Sequence, residues 1–275
     1  MLPLLQDTEE LKFMSNRIEN AFRKKAFVAF LTGGDPYIEK SEEFIGRLID
    51  GGADLIEIGI PFSDPIAEGP VIQSANIRAL NAGTDLAKIF TLVKNVRVKY
   101  PDTPIVFLTY LNPVYKYGPD KFFKKCSEIG ADGIIVPDMP FEEKGEISQS
   151  ASQYGIDIIS LIAPTSEDRI KLIAQEAQGY IYIVSSMGVT GMRSEIKTDI
   201  KSIVDTVRKY SNKPAAIGFG INTPEQAEHF CSFADGVIVG SAIVKIIEKY
   251  GEDAGDELYR YAQKMKAGCM NAEKI

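Results

Sequence analysis

Short, almost wholly apolar runs recur along the chain, separated by longer stretches in which apolar residues return every three or four positions. The runs cover 27–31, 55–58, 105–108, 133–136, 157–162, 180–184, 215–218 and 236–239. Unbroken runs of this length, rich in Ile and Val, predict strands of a parallel sheet buried on both faces. Phe44, Leu48 and Ile49 in one intervening stretch, and Leu86, Ile89, Phe90 and Val93 in another, carry helical spacing. Thr223-Pro224 with Gln226 predicts a helix start with a capping box and proline in the first turn. Gly51-Gly52-Ala53-Asp54, Ile129-Gly130-Ala131-Asp132 and Phe233-Ala234-Asp235-Gly236 form a repeated signature that stops a helix just before a strand.

Eight strand–helix units in about 240 residues predict an α/β fold of the (β/α)8 TIM-barrel type. An open doubly wound sheet is the alternative, but it carries a glycine-rich phosphate turn after its first strand. Here that turn is Thr32-Gly33-Gly34-Asp35-Pro36, which lacks the G-x-G-x-x-G pattern. Ile18, Ala21 and Phe22 predict an extra helix within residues 1–25 that caps the bottom of the barrel. Nothing in the chain reads as a linker, so residues 1–275 are expected to form a single domain.

Composition narrows the function more than the fold. The formal net charge is −7 and the basic residues are scattered, which disfavours nucleic acid or an anionic membrane as main partner. No apolar run approaches the roughly 20 residues that span a bilayer, and residues 1–7 lack the features of a signal peptide. Cys126, Cys231 and Cys269 are far apart and have no metal-ligand spacing, so free thiols, a cytoplasmic location and no bound metal are expected. His229 is the only histidine. Acid–base chemistry therefore falls to carboxylates, tyrosines or lysines.

Glu57 breaks the apolar run of the second predicted strand, and the Pro/Gly/Ser-rich loop after it carries Asp64 and Glu68. A carboxylate among isoleucines needs a partner or a raised pKa. A strand position offers no turn role, so the choice is between a structural core acid and a catalytic one. Asp64 and Asp138 each sit beside a proline in a loop, where an aspartate can also serve as a turn former or loop anchor. Further along, Gly188 and Gly191, Gly220, and Gly240-Ser241 follow the sixth, seventh and eighth runs. Each glycine alone can simply permit a turn. Three such loops on neighbouring strands predict a phosphate cradle of backbone N–H groups, aided by a helix starting at Ser241.

Glu57-Ile58-Gly59-Ile60-Pro61-Phe62-Ser63-Asp64-Pro65, continuing through Ala67, Gly69-Pro70 and Ile72-Gln73, resembles the signature segment of the tryptophan synthase α-subunit family. Supporting matches run in family order: Phe30-Leu31-Thr32 with Gly34-Asp35-Pro36, then Gly188-Val189-Thr190-Gly191, Gly218-Phe219-Gly220-Ile221 and Gly240-Ser241-Ala242-Ile243-Val244-Lys245. The resemblance implies a (β/α)8 lyase that cleaves indole-3-glycerol phosphate by retro-aldol chemistry into indole and glyceraldehyde 3-phosphate. Indole would pass to a β subunit in an α2β2 assembly. The PLP cofactor belongs to that partner, and none is expected in this chain.

The resemblance also assigns residues. Glu57 would be the general acid/base. Glu68 stands where the family has an aspartate and would offset charge developing at the indole nitrogen. Phe30 and Leu108 would wall the indole pocket with Ile135 beside them, and Tyr182 on the sixth strand would bind substrate beneath Thr190. Thr190 would close over the site and orient a catalytic carboxylate, and Gly191, Gly220, Gly240 and Ser241 would hold the phosphate. Ser186 stands where the family often has a basic residue. Pro61, Phe62, Asp64 and Pro140 would meet the β subunit. Two other readings remain: a catalytically silent phosphate-ligand barrel that activates a β subunit, and a different phosphate-binding barrel such as an indole-glycerol-phosphate synthase. The latter uses a strand lysine, which none of the eight runs contains.

Overall fold

In the computed structural model, which describes residues 17–184, 199–218 and 220–272, each apolar run is a parallel strand. They are β1 (Ala26–Thr32), β2 (Leu55–Gly59), β3 (Ile105–Leu108), β4 (Gly133–Ile135), β5 (Asp157–Ile162), β6 (Gln178–Val184), β7 (Ala215–Gly218) and β8 (Gly236–Val239). Neighbours in sequence are neighbours in the sheet, and β8 pairs back onto β1 to close the barrel. The helices outside it are α1 (Ile38–Asp50), α2 (Pro70–Asn81), α3 (Leu86–Lys99), α4 (Leu111–Tyr117), α5 (Pro119–Ile129) and α6 (Gly145–Gln153). After these come α7 (Glu167–Gln175), α8 (Ile200–Tyr210), α9 (Pro224–Cys231), α10 (Ser241–Tyr250) and α11 (Gly255–Asn271). None of the described helices is long and apolar enough to cross a membrane.

Strand side chains alternate between two separate cores, as the two-residue period demands. Phe27, Ala29 and Leu31 of β1 join the large core beneath the helices, whereas Val28 joins Leu55, Val106, Ile159 and Tyr180 inside the barrel. Burying each such side chain contributes about 1.5–3 kcal/mol. Residues 17–21 are helical, and Ile18 seals the floor of the inner core with Ala21 and Phe22 against it. That is the capping helix the sequence predicts.

The repeated helix-stop signature has a second purpose at that floor. Its aspartates each reach sideways to an N–H at the start of an adjacent strand: Asp54 to Phe27 at 2.7 Å, Asp132 to Ile105 at 2.8 Å and Asp235 to Ala215 at 2.9 Å. These are charge-assisted bonds to strand ends that a short loop leaves otherwise unpaired. The capping box at Thr223 and Gln226 forms as expected. Most boundaries fall within one residue of the apolar run, and one differs by two. β6 starts at the polar Gln178, whose side-chain oxygen accepts the Ile158 N–H at 3.0 Å beside a register shift between β5 and β6. Hydrophobic periodicity is blind to a strand begun by a polar side chain.

Candidate active site

Glu57 sits midway along β2, paired in register with Phe30 on β1 and Val106 on β3, and is 1% exposed. Inward-facing positions of β2 must be apolar or partnered, and its partner comes from across the barrel. The Tyr180 hydroxyl donates to Glu57 Oε1 at 2.5 Å. Burial pushes the Glu57 carboxyl up to about 7, and the Tyr180 hydrogen bond only partly opposes it. Burial and the nearby Glu57 charge push Tyr180 and Tyr182 well above the usual phenol range. Both stay protonated at neutral pH, so Tyr180 keeps a proton to donate to the Glu57 carboxylate. A carboxyl poised near neutrality can both give and take a proton.

The loop after β2 brings in the second acid. Glu68 is 7% exposed, and Asn76 of α2 donates from Nδ2 to its Oε2 at 2.6 Å. The Tyr110 hydroxyl, just beyond β3, also hydrogen-bonds the carboxylate and accepts the Ala67 N–H at 3.1 Å. Burial again dominates, raising Glu68 to about 7 against these two donors. Desolvation, rather than repulsion between the two acids, shifts both groups.

Phe30 is seated by glycines on both sides. A Cβ at Gly59 would fall 2.8 Å from its ring, and one at Gly240 would fall 3.0 Å from it. Leu108 bridges the barrel interior and the small cluster around Phe30, while Ile135 and Tyr182 belong to the interior. Tyr182 lies so close to Gly218 that a Cβ there would come within 2.3 Å of its hydroxyl. Gly220 takes the positive φ of 88° that favours glycine. α10 begins at Ser241 directly after Gly240, as the sequence predicts, so its positive end lies at the barrel's C-terminal mouth. Thr190 and Gly191, with Ser186, lie outside the described residues.

Pro61 and Phe62 are half-buried and Asp64 and Pro140 exposed on the same barrel face. Phe62 stacks on Tyr110 with ring centroids 5.3 Å apart. Asp138 accepts the Leu111 N–H at 2.9 Å, the loop-anchor role open to it from sequence. Among the described residues no group of His, Cys, Asp or Glu could hold a metal ion.

Comparison with known proteins decides the family. The sequence model of the tryptophan synthase alpha chain matches residues 17–273. The chain belongs to that family. A tryptophan synthase alpha chain of Thermoanaerobacter sp. (strain X514) is 48% identical over 240 residues, 85% of this chain and 91% of that protein. The crystal structure of the alpha chain from Legionella pneumophila superposes with a TM-score of 0.83 at 35% identity, covering 94% of this chain and 97% of that one. A chain of the tryptophan synthase complex of Pyrococcus furiosus gives 0.79 at 35%, covering 88% and 98%.

An alpha chain of this family is a lyase that cleaves indole-3-glycerol phosphate and passes indole to the β subunit, and it carries no cofactor itself. Within that frame the sequence missed three members of the site: Tyr180, Tyr110 and Asn76. Tyr180 was legible, because it lies two residues before Tyr182 and so on the same strand face. Tyr110 stands in a loop and Asn76 in a helix, where no spacing rule points to either.

Proposed function

We propose that Glu57 and Glu68 are the two catalytic carboxylates of the lyase reaction on indole-3-glycerol phosphate. The observation that carries this is a pair of buried carboxyls, each raised to about 7 by burial, on one strand and the loop that continues it. Cleavage needs a proton delivered to indole C3, a counter-charge at the ring nitrogen, and removal of the proton from the hydroxyl beside the breaking bond. Glu57, protonated, gives the first proton; the resulting carboxylate then takes the hydroxyl proton, and the C3 side-chain bond breaks to leave indole and an aldehyde. Tyr180 steadies the carboxylate between the two transfers. Glu68, ionised, accepts the ring N–H as positive charge grows there.

The rest of the site serves these steps. Phe30, Leu108, Ile135 and Tyr182 are apolar walls suited to an indole ring. The backbone of Gly220 and the start of α10 at Gly240 and Ser241 suit the phosphate. Pro61, Phe62, Asp64 and Pro140 form the face offered to a PLP-bearing β subunit, in an α2β2 assembly in the cytoplasm.

Glu57→Gln tests the assignment. It keeps the shape and an acceptor for Tyr180 but carries no transferable proton. Turnover of indole-3-glycerol phosphate should fall by more than about 1,000-fold, with the affinity for indole propanol phosphate kept within a few-fold. Loss of turnover and binding together would mark Glu57 as a structural acid, and retained turnover would refute the assignment.

A further inference from the structure

We propose that Asn76 is a positioning residue for Glu68, holding its carboxylate from α2 in the place and charge state in which it meets the indole nitrogen. The inference rests on the reading of Glu68 above and extends it to a residue that does not touch the substrate.

The geometry is a splint. α2 starts at Pro70, directly after Glu68 and Gly69. Two of its side chains, three positions apart and therefore on one face, turn back to that residue. Gln73 donates from Nε2 to the Glu68 backbone oxygen at 2.8 Å, and Asn76 donates to the carboxylate at 2.6 Å. One rigid element thus grips Glu68 at both its backbone and its tip. The helix is itself pinned on two sides. Ile72 and Ala75 pack with Phe30 and Val244 of α10. Arg78 forks onto the fully buried Asp35, both bonds 2.8 Å. Asn76 is 3% exposed, so its amide has little freedom to turn away.

Chain length makes the clamp necessary. Glutamate has one more rotatable bond than the aspartate that the family resemblance places here, and its tip sweeps a wider arc unless held. A carboxylate offers about four lone-pair sites. Asn76 and Tyr110 occupy two, which leaves room for an indole N–H. The Asn76 amide nitrogen can only donate, and a donor favours the ionised acid over the neutral one. Removing it should therefore damage placement and also leave more of Glu68 protonated.

The groups facing Glu68 are few. Tyr110 faces it from the end of β3, with Asp138 acting on Tyr110 from the loop after β4. Arg78, on the same helix, is committed to Asp35 and Glu248. Burial and Glu68 itself keep Tyr110 protonated through neutral pH. A pH limb that moves in an Asn76 variant thus reports on Glu68.

The test is the pH dependence of kcat and KM for indole-3-glycerol phosphate, from pH 6 to 9, for the full chain and for Asn76→Leu, Asn76→Gln and Glu68→Gln. Asn76→Leu keeps the volume and removes the donor. Its kcat should fall on the order of 10- to 100-fold at pH 7 with KM within about threefold. Its acid limb should move up by about one pH unit, so that the deficit narrows toward pH 9. Asn76→Gln, with a donor restored, should lie between it and the parent; it also supplies the readout if the leucine variant does not fold. A loss equal at every pH, or no loss in either variant, overturns the proposal. The Glu68→Gln arm separates the two layers. If that variant turns over at the parental rate, the role of Glu68 fails. If it is inactive while both Asn76 variants match the parent, only the positioning role fails.

Discussion

A glutamate inside an apolar barrel costs stability besides the chemistry proposed for it, and burial fixes the sign of that cost. Glu57 is raised from 4.5 to about 7 by burial. Between those pH values the folded chain holds a proton that the unfolded chain has lost. Stability therefore falls as pH rises through this window, and above about 7 the full penalty applies, on the order of 3 kcal/mol. Glu57→Gln has no such titration. The stability difference between variant and parent, from urea unfolding, should shift in the variant's favour by about 3 kcal/mol between pH 4.5 and 8. A difference constant across that range would show that Glu57 is not buried as a neutral acid. This residue was legible from sequence because an acid among isoleucines is conspicuous. Tyr180 carries no such mark, because one tyrosine in an apolar strand looks like core, although its hydroxyl reaches Glu57 across the barrel and partly opposes the rise that burial imposes on the acid.

The elements were the easier part to read. Strands buried on both faces announce themselves as unbroken Ile/Val runs, and Gly, Pro and Asp punctuation marks the turns, so each run became a strand of the barrel. What the pattern could not show is why the floor needs its aspartates. Asp132 illustrates the answer: its side chain, wholly buried, takes Arg17 and Arg97 at 2.8 Å each and the Ile105 N–H. Burial raises its pKa, and the two guanidiniums and the N–H oppose that rise. Removing the acid would leave two cations facing each other and a strand end unpaired. Asp132→Ala should cost about 3–5 kcal/mol by denaturant unfolding. It lies at the end of the barrel opposite the site, so kcat of the folded fraction should stay within about twofold. A stability loss under about 1 kcal/mol would show that the latch is dispensable. Asn76 belongs to the same lesson. A polar residue buried on a helix has no period of its own, and only the fold reveals what it faces.

At the scale of the whole molecule the barrel's C-terminal face would serve two purposes at once, because the loop after β2 carries both an acid proposed to be catalytic and the surface proposed to meet a β subunit. The connection between them is physical. Phe62 stacks on Tyr110, and the Tyr110 hydroxyl holds the Ala67 N–H and the Glu68 carboxylate. A partner that presses on the loop around Phe62 therefore shifts the free energy of the Glu68 position, and the same coupling must run in reverse. Asp64 separates docking from chemistry, since it is exposed and its hydrogen bond comes from the adjacent Ser63. Asp64→Ala should leave the isolated chain's lyase rate within about twofold, as expected for a surface change. In the presence of a β subunit it should lose most of any activation, on the order of tenfold. Phe62→Ala should differ in kind. It removes the packing on Tyr110, so the isolated chain also slows, with the loss in kcat rather than KM. Steady-state rates with and without saturating β subunit distinguish the two patterns. If Asp64→Ala is activated as fully as the parent, this loop is not the contact, and if Phe62→Ala is as fast as the parent when alone, the stacked pair does not support Glu68.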